Sequence, residues 1–376
     1  MKNKQSINVL IVGMSTMYGG TESFVMTLFR NINRSIFHFI FLNAYDEPIV
    51  CSDEIVSLGG EIVSLRLRRR ADGIKKYKEG INRFFEEWNN RIDIVLQNIQ
   101  DLINIDMVKY AHKYLKKTVL WGHACDYGVQ PRLLTRLSAI YNKLVFSRYA
   151  DLLVANSNKS GKWLYGNKQF VVVENFIDTN RFKYNENYRK EIRDKFHIND
   201  GDILYGTLGR LSVEKNQLFL IDIFNKVHNK KSNIKLMLVG AGDMLHQLVK
   251  KVNDYKLEKY VIFAGETDQA EKYYSAFDVF VFPSKFEGFG ISLLEAECSS
   301  LPCVVSDVIP DEAIKSALVK KMSLSRDVDD WAKVLVNTNI NNARENHYIV
   351  NSIEINNGYI NQTTIIAKML EELYEQ

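Results

Sequence analysis

Short apolar runs alternate with amphipathic stretches along nearly the whole chain. Runs at Ile7–Val12, Phe37–Leu42, Glu61–Leu65, Ile92–Leu96, Thr118–Trp121, Leu152–Ala155 and Phe170–Val173 have the length of buried strands. Between most of them apolar residues recur at helical spacing, as in Ile74–Trp88 and Leu102–Leu115. Phe24, Val25, Leu28, Phe29 and Ile32 form the inner face of a helix that Thr21 could cap. Such alternation predicts a parallel α/β sheet. The polar stretch Thr179–Asn187 reads as a linker, after which the pattern restarts. Helices at Tyr188–Phe196, Asn216–Val227, Met244–Val252 and Gln269–Ala276 then separate strands at Ile203–Leu208, Lys235–Val239, Tyr260–Phe263 and Val279–Phe282. A restart after a polar break marks a second α/β domain. The predicted domains are 1–180 and 181–358, with 359–376 as a closing helix strongest at Thr363–Tyr374; the stretch 337–361 is Asn-rich and poorly patterned.

The last of those strands opens the most informative stretch. Pro283 ends it, since proline has no N–H to give to a ladder. Gly288 and Gly290 allow a tight turn and a close approach of backbone to a ligand. Ile291–Glu297 then reads as a helix, so its free N-terminus makes a ready anion site. Glu287 and Glu295 flank that site and would repel an anion. Carboxylates accept paired hydrogen bonds, and vicinal hydroxyls donate them. A sugar nucleotide offers both partners: diphosphate for the amides, hydroxyls for the glutamates. Without a ligand, the same corner would be a buried turn with two solvated glutamates.

Composition narrows the class. The chain has 376 residues, 46% hydrophobic and 25% charged, which suits a soluble globular protein of two domains. Cys51, Cys125, Cys298 and Cys303 lack metal-ligand spacing and read as small core residues in a reducing compartment. No stretch approaches the roughly 18 apolar residues of a membrane span, and no cleavable signal opens the chain. A cytoplasmic protein is expected, with peripheral contact at the inner face of the plasma membrane as an option. Net charge is +4 but uneven: residues 1–180 hold 24 Lys and Arg against 17 Asp and Glu, the remainder 25 against 28. A basic front half suits an anionic surface or acceptor, or is simply a solvated surface. Nothing in it calls for nucleic acid. Arg66, Arg68, Arg69 and Arg70 form a basic run. Leu133–Tyr149 is a basic amphipathic helix, with Arg132, Arg136, Lys143 and Arg148 beside Leu133, Leu137, Ile140, Tyr141 and Leu144. It could lie on an anionic membrane, or pack on the core with a charged outer face.

Other strand ends carry candidate chemistry. In Gly209–Asn216, Arg210 and Lys215 follow a strand and could neutralise a diphosphate, the guanidinium with its bidentate fork. Val239-Gly240-Ala241-Gly242 is a second glycine turn. Phe263-Ala264-Gly265 is a third, against whose backbone a flat base could lie. Gly19-Gly20 precedes a helix after the first strand but lacks the G-x-G-x-x-G dinucleotide fingerprint. His123 stands at a strand's carboxyl end, where open α/β sheets bind ligands; a histidine satisfied within a polar loop is the alternative.

Taken together, these residues resemble the retaining glycosyltransferases of family 4. The likeness is carried by Gly19-Gly20-Thr21-Glu22, Asn175-Phe176-Ile177-Asp178, Gly209-Arg210-Leu211-Ser212, Glu214-Lys215-Asn216, Val239–Gly242, and Glu287 to Glu295 in a Phe-Gly frame. Ser160–Gly166 and Leu301–Asp307 look closest to the branch that builds bacterial capsular polysaccharides and exopolysaccharides. The resemblance implies the GT-B fold: two Rossmann-like domains facing each other across a cleft, acceptor-binding first, nucleotide-sugar-binding second, with the last helix returning to the first. Arg210 and Lys215 match the family's diphosphate pair. Glu295 matches the ribose carboxylate, and Glu287 the one near the hexose hydroxyls. The amides of Gly290, Ile291 and Ser292 would meet the phosphates, with Gly20 closing from the other domain. Gly209, Gly240, Phe263 and Gly265 would line the nucleotide. His123 resembles a first-domain histidine that contacts the donor sugar. Ser300 stands where the family more often has glycine.

The implied activity is metal-independent transfer of a hexosyl unit from a nucleotide sugar, UDP-linked by default, to a lipid-linked saccharide with retention. The donor is a co-substrate, and no cofactor is expected. The rival readings are an inactive partner or chaperone subunit of this fold, a Rossmann dehydrogenase, and a sugar-nucleotide epimerase.

Overall fold

A computed structural model of the chain describes residues 6–67, 72–124, 133–340 and 353–376. Arg68, Arg69, Arg70, Cys125 and Arg132 lie outside the described residues. Among the described residues, thirteen strands form two sheets. The first contains β1 (Ile7–Val12), β2 (Phe37–Asn43), β3 (Glu61–Ser64), β4 (Ile94–Ile99), β5 (Lys117–Gly122), β6 (Leu152–Ala155) and β7 (Val171–Val172), in the order β3-β2-β1-β4-β5-β6-β7. The second contains β8 (Ile203–Leu208), β9 (Ile234–Val239), β10 (Val261–Gly265), β11 (Val279–Phe282), β12 (Cys303–Ser306) and β13 (Val319–Met322), in the order β10-β9-β8-β11-β12-β13. Every pairing is parallel.

Contacts gather residues 1–17, 21–176 and 360–376 into one unit, and 18–20 with 177–359 into another. In each sheet the winding direction reverses once, between β1 and β4 in the first and between β8 and β11 in the second. Such a reversal sends the two following loops apart and opens a crevice at the strands' carboxyl ends.

Central strands are apolar without alternation because helices cover both faces. All four residues of β11 and of β12 are buried. In the second unit Leu236, Leu238, Val279 and Val281 pack with Leu220, Phe224 and Trp331. In the first, Leu10, Ile40 and Val95 meet Ile81 and Phe85, while Leu120 and Leu153 meet Phe146 and Tyr165.

Three features depart from the pattern. The polar stretch after Ile177 is a pair of helix starts, Thr179–Phe182 and Glu186–Lys195. Asp178 accepts the amides of Asn180 and Arg181, and Asn185 those of Asn187 and Tyr188, so the polar residues there are N-caps. Thr21 lies inside the helix Gly20–Asn31 instead of capping it, and its hydroxyl accepts from Gln100 Nε2 at 2.7 Å. Finally, β12 and β13 carry no strand pattern long enough to read, and β13 contains Lys320 and Lys321.

The helix Ile291–Cys298 ends in a paired motif. Leu301 donates to the Ala296 carbonyl at 3.1 Å, and Ser300 to that of Glu297 at 2.8 Å. This closure needs a left-handed residue between them, and Ser300 supplies it at φ 56°. The serine therefore occupies a conformation that favours glycine. Left-handed backbone costs a Cβ-bearing residue about 1–2 kcal/mol, while glycine loses more chain entropy on folding. Ser300→Gly is expected to raise stability by up to about 1 kcal/mol in urea unfolding. A clear loss would show that the serine side chain holds the turn.

Candidate functional site

The two loops that diverge at the β8/β11 reversal are laced together. Asn216 sits at φ 58° and donates its Nδ2 to the Pro283 carbonyl at 3.0 Å. The Lys285 amide donates to the Glu214 carbonyl at 2.7 Å. Between those anchors Lys215 Nζ meets Glu287 Oε1 at 2.5 Å and lies 4.9 Å from the centre of the Phe282 ring. The ammonium thus commits one of its three donors to Glu287. Gln217 Nε2 donates to the Arg210 carbonyl at 2.9 Å, fixing the backbone from which Arg210 extends an exposed side chain. Ser212, Arg210 and Lys215 all favour the ionised form of Glu214: the Ser212 hydroxyl leads in holding that carboxyl below its usual range, and the two cations add to it. Both cations therefore gather on one short loop.

Neighbouring strand ends join through backbone. Gly209 donates to the Val239 carbonyl, Leu211 to Ala241 at 2.8 Å, and Gly240 to Gly265 at 2.8 Å. Gly240 has φ 134°, and a Cβ there would lie 2.1 Å from the Gly209 carbonyl oxygen. Glycine is required at this crossing by space as well as by angle. Phe263 packs its half-buried side chain on the core, leaving the loop backbone at Gly265 exposed.

At the fourth loop only Gly290 of the two glycines takes a positive φ, 95°, at the start of the helix Ile291–Cys298. Gly290 stands at the N-cap and has no side chain with which to cap the helix, and the amides of Ile291 and Ser292 lie in its first turn, where no intrahelical acceptor is available. Glu295 is not a solvated surface group. It is 2% exposed, and its Oε2 accepts the Tyr274 hydroxyl at 2.8 Å. Burial, then the Glu295 charge, pushes the Tyr274 phenol well up, so the proton stays on tyrosine. Tyr274 was not legible in the sequence: it lies on the helix Ala270–Ala276 with no motif around it.

At the strand ends of the first sheet, His123 follows β5 and is buried, 5.2 Å from the Phe24 ring centre and stacked parallel to Trp121. Its Nε2 lies 2.8 Å from Asn98 Oδ1. Asn98 donates its amide nitrogen to the Val12 carbonyl, so its oxygen must accept, and the histidine proton sits on Nε2. Burial pushes His123 down to about 3, which makes it neutral at physiological pH. The residue is thus a satisfied histidine with Nδ1 available as an acceptor. Gly20 opens the helix Gly20–Asn31, and Glu22 turns back to accept the Ser15 amide at 3.0 Å. Gly13, which the motif reading passed over, has φ 103° and lies so close to the Asn98 carbonyl that a Cβ would come within 2.6 Å. Among the described residues no three His, Cys, Asp or Glu side chains converge to hold a metal ion.

Residues 188–333 match the family Glycosyl transferases group 1. EpsF of Bacillus subtilis (strain 168), a protein assigned as a glycosyltransferase, is 24% identical over 339 residues, which span 89% of this chain and 88% of its own. The O-antigen biosynthesis glycosyltransferase WclY of Escherichia coli is 27% identical over 248 residues, 64% of this chain and 66% of its own. Among solved structures, Anabaena Alr3699/HepE in complex with UDP-glucose superposes with a TM-score of 0.75 at 16% identity, over 97% of this chain and 98% of that one. WaaG, a glycosyltransferase involved in lipopolysaccharide biosynthesis, gives a TM-score of 0.67 at 16% identity over 98% of each chain. The fold is accordingly GT-B, two Rossmann-like domains with sheets of seven and six strands, and residues 188–333 match the glycosyl transferases group 1 family.

Proposed function

We propose that the protein is a retaining, metal-independent hexosyltransferase. It moves a hexosyl unit from a UDP-sugar to a hydroxyl of a lipid-linked saccharide in surface polysaccharide synthesis, working at the inner face of the membrane. The observation that carries this reading is the gathering of Arg210, Lys215 and a helix start with glycine at its N-cap on loops tied across the β8/β11 reversal. The UDP-glucose bound by the Anabaena neighbour supports the donor class, and the O-antigen relative supports the polysaccharide context.

In this reading the bond from the anomeric carbon to the diphosphate oxygen breaks as negative charge grows on the leaving group. Arg210, Lys215 and the amides of Gly290, Ile291 and Ser292 stand fixed where that charge develops, which is the strongest form of electrostatic catalysis. These groups supply the positive charge that a metal ion would otherwise bring. The acceptor hydroxyl attacks the same face, its oxygen bonds to the anomeric carbon, and its proton passes to the departing phosphate oxygen. Glu287 takes hexose hydroxyls while it pins Lys215. Glu295, steadied by Tyr274, takes the ribose. Gly209, Gly240, Phe263 and Gly265 form the backbone wall for the nucleotide, and Gly20 and His123 serve the donor from the strand ends of the first sheet. A neutral His123 whose Nε2 proton already faces Asn98 offers Nδ1 to a sugar hydroxyl; it does not act as a general acid.

A thermal-shift series tests the donor site. UDP-glucose or another UDP-sugar is expected to raise the melting temperature, as any ligand of the folded form does. Arg210→Ala should remove most of that shift and lower turnover on the order of 10² to 10³; an unchanged shift would sink the phosphate assignment. Tyr274→Phe is expected to raise KM for the donor about tenfold or more, since it removes a hydroxyl donor from the buried Glu295, and to lower stability in urea unfolding by about 1–3 kcal/mol. For His123, long-range ¹H–¹⁵N spectra should show the Nε2–H tautomer below pH 6.5, where an ordinary histidine is already charged. Because its folded pKa is lowered, its contribution to stability is complete above 6.5 and shrinks as pH falls toward about 3. An imidazolium signal at pH 6 would contradict this environment.

A further inference from the structure

The helix Leu133–Val145 is amphipathic in the reverse sense. Its inner face is small and polar: Ala139 and Asn142 are buried, Asn142 Nδ2 donates to the Leu102 carbonyl at 2.7 Å, and Ser138 Oγ to that of Ile103 at 3.0 Å. Lys109 Nζ adds a bond to Asn142 Oδ1 at 2.6 Å. The large apolar residues point the other way. Leu137, Ile140, Tyr141 and Leu144 are 54%, 53%, 57% and 75% exposed, and their spacing of three, four and seven places them on one stripe. A helix anchored by hydrogen bonds along one face has no need of apolar residues on the other for its own packing. Contiguous exposed apolar residues on a soluble chain mark a contact surface.

The charge around the stripe selects the partner. Arg136, Lys143 and Arg148 are exposed beside it, and Lys109 Nζ lies 5.2 Å from the Tyr141 ring centre. From Leu133 to Ala150 the sequence has no Asp or Glu. A second copy of this face would bring cations against cations. An apolar stripe edged by cations without carboxylates fits the boundary between anionic headgroups and acyl chains, where an interfacial helix lies. Among the described residues no helix is long and apolar enough to cross a membrane, so the contact is shallow.

We infer that this helix face docks the first unit on an anionic bilayer, with Leu137, Ile140, Tyr141 and Leu144 entering the headgroup region and Arg136, Lys143 and Arg148 meeting its phosphates. The inference deepens the proposed use of a lipid-linked acceptor and rests on that reading for its purpose. Its test needs neither donor nor acceptor, so failure of vesicle binding and failure of donor binding are separate results.

Full-length protein is sedimented with vesicles of phosphatidylcholine alone and of phosphatidylcholine mixed with phosphatidylglycerol. Binding is expected only to the mixed vesicles, weakening as salt rises. Leu137→Ser combined with Leu144→Ser should lower it about tenfold or more, with the melting temperature unchanged because both side chains are exposed. Arg136→Glu combined with Arg148→Glu should abolish the preference for phosphatidylglycerol. Tyr141→Trp should give emission that shifts to the blue on mixed vesicles only. Equal binding by wild type and the serine variant, or no binding by wild type, would overturn the inference. So would a wild-type dimer that the serine variant dissociates, because the stripe would then belong to a second copy.

Discussion

The second unit of this molecule depends on one topological constraint. A parallel sheet that winds both ways from its centre must send a pair of loops in opposite directions at the turning point, here those after β8 and β11. Their divergence makes room for a ligand, but by itself it would leave each loop free to move. Asn216 and Lys285 close the gap through backbone carbonyls, and the Lys215–Glu287 pair then spans it with charge. The order matters physically. An ion pair on loose loops would lose most of its worth to side-chain entropy and screening. Held by two backbone anchors with the glutamate side chain 8% exposed, the ammonium is positioned before any ligand arrives.

The helix that begins at this crevice carries two buried carboxylates with different fates. Glu295 faces Tyr274, whose proton cannot leave, and remains an acceptor. Glu297 accepts from the Lys315 amide and the Ser316 hydroxyl on one oxygen, while its other oxygen has no partner. Burial pushes Glu297 up to about 7, in spite of those donors. Two glutamates two residues apart thus differ through their neighbours alone. In the proposed reading Glu287 and Glu295 serve the donor, whereas the bonds of Glu297 hold a local turn.

Much of the fold was legible because the strands of a covered parallel sheet are short apolar runs, and β1, β6, β8 and β11 fall where the pattern put them. Strands β12 and β13 were not, since four-residue segments, one with two lysines, give no period to read. The linker reading of Thr179–Asn187 failed because Asp178 and Asn185 are equally at home in loops and at helix starts. Within the candidate site, the residues nominated from the sequence lie beside glycine turns, and Tyr274 and Asn98 carry no such mark. Each acts on a partner more than twenty residues away, a distance at which a single sequence carries no spacing signal.

That division has a physical basis beyond the limits of pattern reading. A diphosphate and a ribose are the same in every nucleotide sugar, so backbone amides, fixed cations and a buried carboxylate can serve them through rigid strand ends, and rigid strand ends leave glycine marks. An acceptor displayed at a membrane has no such constancy. The groups that meet it need only be exposed, and a helix can expose apolar residues with the same spacing it uses to bury them. The helix Leu133–Val145 illustrates the point: its period gives the stripe, but only the hydrogen bonds of Ser138 and Asn142 reveal that the stripe faces outward. Polar anchoring of the inner face is what frees the apolar residues for a surface, and it belongs to tertiary structure alone.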